Sequence, residues 1–96
     1  MTPYSPSQKI LEHHVLEASG ERQLENVRQL ILRGRQLSSF DSACASRLRN
    51  LVVLSLSNNR VQDLEGFQFL VSLVDLNLNF NAVTSLHGLC CPRLQK

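Results

Sequence analysis

The sequence is poor in features that would staple a chain, anchor it or make it reactive. Its three cysteines (Cys44, Cys90 and Cys91) cannot all pair, and a bridge between adjacent Cys90 and Cys91 would be strained, which argues against a disulfide framework. A reducing compartment, cytosol or nucleus, is the expectation. No apolar run approaches the ~20 residues of a membrane span, and the opening MTPYSPSQK has no apolar core of a secretory signal. GxSxG, HExxH and a glycine-rich phosphate loop do not occur. Neither sign of charge dominates: the formal net charge is +2 and the pI about 8.6, far from a dense basic stripe. Neither a nucleic acid nor a membrane is therefore expected as a partner. With 43% hydrophobic and 19% charged residues the chain has the profile of a folded domain. At this length only about 65% of the unfolded surface can be buried, so each core leucine matters.

What the sequence does have is an internal repeat. Leu51, Leu54, Leu56, Asn59, Val61 and Leu64 recur as Leu73, Leu76, Leu78, Asn81, Val83 and Leu86, each 22 residues later. Both copies read LxxLxLxxNxVxxL. Val27, Leu30, Leu32, Arg35, Leu37 and Phe40 extend the frame backward at a spacing of 24, and Leu89 and Leu94 carry it forward. Such a repeat predicts a stack of similar units. In each LxL the two leucines share one face of a short strand, because side chains alternate. Leu54, Leu56, Leu76 and Leu78 are therefore read as core, on strands that stack into a parallel sheet. Asn59 and Asn81 follow at a sharp turn, where a buried amide can bond backbone groups of its own and neighbouring repeats. Arg35 cannot copy that role, since a guanidinium has no acceptor, so the first repeat is read as a modified terminal unit. The period of three in Phe67, Leu70 and Leu73 predicts a 3₁₀ or short α-helical return segment. The longer return DSACASRLRN is expected to turn Cys44 and Leu48 inward.

Ser5 suits an N-cap and Pro6 the first helical position. Gln8 to Ala18 carries Ile10, Leu11, Val15 and Ala18 at helical spacing, and Gly20 can stop a helix. A helix over residues 5–19 is expected to cap the repeats. The domain layout is then residues 1–23 as capping helix and linker, and 24–96 as about three repeats plus the start of a fourth. At the other end Leu94 opens a unit that Lys96 closes, so the carboxyl-terminal cap is read as missing. That leaves an apolar edge with unpaired strand groups, and self-association there is one expectation.

The chemistry-bearing residues do not converge. His13 and His14 are adjacent on a helix and face different directions, unlike the i, i+4 pair of a metal helix. His87 with Cys90 and Cys91 lacks a fourth ligand and CxxC spacing, so core filling or the strained end of repeat three is the better reading. Asp41 and Ser42 look like a turn or helix N-cap. Glu12, Glu17, Glu21 and Glu25 read as a solvated face. No catalytic constellation, metal site or cofactor site is read, and an enzyme is the least expected class.

If Leu54 and Leu56 point inward, Val53, Ser55 and Ser57 point outward on the concave side. The matching rows are Gln29, Ile31 and Arg33 in repeat one and Asp75, Asn77 and Asn79 in repeat three. Gly34, Asn58 and Phe80 follow at the turn. Concave faces of repeat stacks commonly bind other proteins. Phe80 is the candidate anchor on this one, with packing over a neighbouring turn as the structural alternative.

The 22-residue frame resembles the leucine-rich repeat class typified by the nuclear regulatory subunit of protein phosphatase 1. The segment LEGFQFLVSLVDLNLNFN (Leu64–Asn81), with Thr84, Ser85 and Leu86 after it, is similar to the centrosomal and ciliary subset of that class. The resemblance implies an α/β leucine-rich repeat solenoid, with a short parallel sheet on the concave face and 3₁₀ or short helices on the convex face. It implies a protein-binding adaptor or scaffold in the cytoplasm, at the centrosome, cilium or microtubule cytoskeleton. A regulatory subunit of a nuclear complex, phosphatase or ribonucleoprotein, is an alternative. A truncated isoform or fragment without independent function is another.

Overall fold

A computed structural model describes residues 8–83 except 63 and 65. It consists of five short strands, two short α-helices and two 3₁₀ turns. Three strands, β2 (Gln29–Ile31), β4 (Val53–Ser55) and β5 (Asp75–Asn77), form a parallel sheet in that order. Its register pairs Leu30 with Leu54 and Leu54 with Leu76, so the repeat spacing of the sequence is the register of the sheet. The ladder runs on past the strands: the Leu32 and Gly34 N–H groups donate to the Ser55 and Ser57 carbonyls, and those of Leu56 and Asn58 donate to Asn77 and Asn79.

The core forms where the inward leucines meet the return segments. Leu30, Leu32, Leu54, Leu56, Val61 and Leu64 are buried with Phe67, Leu70 and Leu73. A 3₁₀ turn at Phe67–Phe69 carries the second return, and Phe67 meets Phe40 edge-on with ring centroids 5.3 Å apart. The first return, longer by two residues, has room for an α-helix, α2 (Ser42–Arg47). Asp41 caps it by accepting the Cys44 N–H at 3.3 Å. Cys44 and Leu48 do turn inward. Burial, with Asp41 and Glu12 nearby, pushes the Cys44 thiol up to about 11, so it is an un-ionised core group. Leu76 and Leu78 differ from expectation. They are only half-buried against the core, because among the described residues no strand lies beyond β5, whereas Leu54 and Leu56 have a repeat on either side.

The amino-terminal segment departs further from expectation. Residues 5–19 are not one helix. Gln8–Ile10 is a strand, β1, parallel to β3 (Leu37–Phe40) in a separate two-stranded sheet. The helix, α1, spans Glu12–Ser19. Ser5 and Pro6 lie outside the described residues. Ile10 is buried from the strand, Val15 from the helix, and Leu11 and Ala18 are exposed. Pairing with β3 satisfies backbone groups that a helix would have satisfied internally, and it buries Ile10 in the core. Leu11 then occupies the N-cap position, although it offers no side-chain oxygen. Its own N–H donates to His14 Nδ1 at 3.0 Å, which is half of a capping box with histidine in place of glutamate. Gly20 ends α1, its N–H donating to the Leu16 carbonyl. Arg47 ties the return side together, reaching Glu25 at 3.0 Å and Glu12 at 3.5 Å, both solvent-exposed pairs.

The turns after the strands depend on two asparagines. Asn59 Oδ1 accepts the N–H groups of Arg35 at 2.9 Å and Leu37 at 3.1 Å, both in the preceding repeat. Its Nδ2 donates to the carbonyls of Leu32, Leu56 and Ser57. Asn81 repeats the scheme one unit on, accepting from Val61 and donating to Leu56, Leu78 and Asn79. Repeat one thus needs no asparagine of its own. The Arg35 side chain is exposed while its backbone is served by Asn59.

These arrangements give three expected outcomes. Leu56→Ala should cost about 2–5 kcal/mol in urea unfolding and Leu78→Ala distinctly less, since its site is already half open; equal costs would contradict the burial difference. Asn59→Ala strands several buried backbone groups, at about 1–3 kcal/mol for each one left unpaired, so it should destabilise more than Asn81→Ala. The pKa of His14 is lowered by burial first, then by His13 and Arg35, against an opposing pull from Glu17. The unfolded chain therefore takes up this proton more readily, and stability present above the ordinary value of 6.5 is lost as pH falls through it. Replacing His14 with glutamine, a normal acceptor at that position, should remove this part of the pH dependence when urea midpoints are compared at about pH 8 and about pH 5.

Candidate functional site

The outward residues of the three-stranded sheet fall into rows fixed by its register. Gln29, Val53 and Asp75 form one row, and Ile31, Ser55 and Asn77 the next. The extended ladder places Arg33, Ser57 and Asn79 beyond them, followed by Gly34, Asn58 and Phe80 at the turn. Together Ile31, Arg33, Ser55, Ser57, Asn58, Asn77, Asn79 and Phe80 line a shallow open depression of about 410 Å³. Gln29, Val53 and Asp75 lie outside it.

Two members of this face differ from a simple reading of outward positions. Ser57 is only 8% exposed. Its short side chain lies between those of Arg33 and Asn79 in the same row, so it contributes to the floor of the depression and not to its rim. Asn77 is half-buried, and its Oδ1 accepts the Asn79 N–H at 2.9 Å, which fixes the carboxamide in place.

The turn position is the most informative. Gly34, Asn58 and Phe80 all have φ between 60° and 64°, in the left-handed region. Glycine takes that conformation without a Cβ clash, and asparagine is tolerated there. A bulky aromatic is a genuine outlier at such a φ. Phe80 is also 81% exposed, and Ile31 across the depression is 49% exposed. The phenyl ring therefore gains little from burial, and packing over a neighbouring turn does not account for it. The face carries the exposed Arg33 at one corner and Asp75 at the other end of the opposite strand.

Among the described residues outside this face, His14 and Asp41 are engaged in helix caps and Glu12 and Glu25 in ion pairs. The His13 and His14 rings are tilted against each other with centroids 4.1 Å apart, and His14 Nδ1 is already an acceptor in the helix cap. Among the described residues no group of His, Cys, Asp and Glu could hold a metal ion, and no helix is long and apolar enough to cross a membrane. Glu12 and Glu25, read from the sequence as parts of a solvated face, converge on Arg47, which holds the Glu25 carboxyl below the usual range. Nothing in the spacing of these residues signalled that convergence, because it joins three elements far apart in sequence. His87, Cys90 and Cys91 lie outside the described residues, as do Leu86, Leu89, Leu94 and the edge expected to be open.

Comparison with known proteins agrees with the repeat geometry. Residues 25–83 match a family model described as "Leucine rich repeat". The chain is 37% identical over 89 residues to the "Centrosomal protein of 72 kDa" of Mus musculus, an alignment that covers 85% of this chain and 14% of that protein. The stacked LxL strands, the shared asparagine turns and this match over more than half of the sequence place the chain in the leucine-rich repeat family, close to its centrosomal members.

Proposed function

We propose that this chain is a protein-binding module whose open sheet face, from Ile31 and Arg33 across to Asn79 and Phe80, receives a partner. The observation that carries this reading is Phe80, an aromatic held out into solvent on a backbone conformation that opposes it. Strain of this kind costs about 1–3 kcal/mol and persists where the surroundings or a function require it. Aromatic anchors of this sort are frequent hot spots of protein interfaces. The surrounding hydroxyls and amides can bond a polypeptide, and no base stands beside the two serines among the described lining residues, so the site fits binding.

The unit is read as a solenoid in which residues 1–23, with α1 beside β2, close the amino-terminal end of the repeats in 24–96. Similarity to a centrosomal protein supports a scaffold or adaptor role at the centrosome, and by extension at cilia or the microtubule cytoskeleton. The chain spans a small part of that relative, so the assembly role proposed here is that of a binding module.

The test exploits the strain. Asn58 occupies the equivalent turn position, so Phe80→Asn should leave the fold intact and raise its stability by about 1 kcal/mol. Proteins captured from cell extract by the wild-type chain, and any centrosomal enrichment of a fluorescent fusion, should be lost in the same variant. A Phe80→Asn chain that still captures the same centrosomal proteins would remove this face from the binding role.

A further inference from the structure

We infer that the depression between Arg33 and Phe80 receives a partner segment presenting a carboxylate and a large apolar side chain about 10 Å apart; this rests on the sheet face being the binding surface. Arg33 is exposed on the rim, and among the described residues no acidic side chain pairs with it. Of the described acids, Glu12 and Glu25 bind Arg47 and Asp41 caps α2, while Glu17 and Glu21, on α1 and just after it, form no ion pair with Arg33. Asp75 begins β5, at the end of the sheet opposite the turns. One corner of the face thus carries unneutralised guanidinium charge, complementary to a carboxylate and repulsive to a basic segment.

On the far side of the same depression the exposed Phe80 ring is the apolar group, while Ile31, two residues before Arg33, lies on the near side. Between these poles, on the second repeat, lie Ser55 and Asn58, with Asn77 and Asn79 beside Phe80 on the third, groups that can bond a peptide backbone. Arg33 and Phe80 belong to the first and third repeats, two strand spacings apart. At about 4.8 Å per spacing that separation is about 10 Å, which an extended peptide covers in about three residues. An acidic residue and a leucine- or phenylalanine-like residue about three positions apart would engage both poles at once.

Selection of random linear peptides, displayed on phage, against the immobilised 96-residue chain tests this directly. The expected result is an enriched sequence class in which Asp or Glu, about three residues from a large apolar side chain, exceeds Lys or Arg at that position about tenfold, with binding weakened by salt. Arg33→Glu, a change at an exposed side chain, should reverse the preference toward basic peptides. Enrichment without an acidic bias, an acidic bias unchanged by Arg33→Glu, or no enrichment at all overturns the inference. The two levels separate cleanly. Peptides that still bind Phe80→Asn show that the face itself was wrongly assigned, whereas peptides lost in Phe80→Asn but indifferent to charge overturn only the carboxylate.

Discussion

The turns after β2 and β4 leave backbone groups pointing at one another across a dry interior, and one carboxamide from the following repeat resolves each conflict. An asparagine side chain has both a donor and an acceptor end, so it can satisfy N–H groups on one side and carbonyls on the other. Asn59 and Asn81 use both ends, and each spans two repeats. Burial of the leucines drives the chain to collapse. It is the amide that makes collapse compatible with a turn tight enough to stack the next strand in register. The open face follows from this, because register decides which side chains share a row.

The same turn holds the aromatic of the face in a backbone conformation that opposes it. Its geometry calls for a left-handed residue just before the asparagine position, and two of the three repeats supply residues suited to it. The third supplies phenylalanine. A stack of near-identical units gives each position a built-in control, and Gly34 and Asn58 are the controls that make Phe80 stand out.

Much of this was legible in the sequence, and for identifiable reasons. The 22-residue offset, with the 24-residue offset before it, carries the leucines, the asparagines and the outward rows, because a period is a property of many residues at once. The 3₁₀ return at Phe67–Phe69 and the inward turn of Cys44 followed from local spacing as well. The amino-terminal strand was not legible. Gln8–Ile10 is too short to show alternation, and its partner Leu37–Phe40 lies about one repeat away, so only tertiary pairing reveals it. Ser57 is more covered and Leu78 more open than the pattern implies, since a pattern gives a side chain's direction but not the size of its neighbours. The convergence of Glu12 and Glu25 on Arg47 left no trace in the sequence at all.

The asparagine bonds have a direction. Asn59 closes the turn of the repeat before it, and Asn81 does the same for Asn59's own repeat. During synthesis each unit therefore leaves the ribosome with its turn unfinished, and gains its missing acceptor only when the following repeat has been made. Vectorial folding of such a chain trails translation by one repeat, and the most recently made unit is always the least protected.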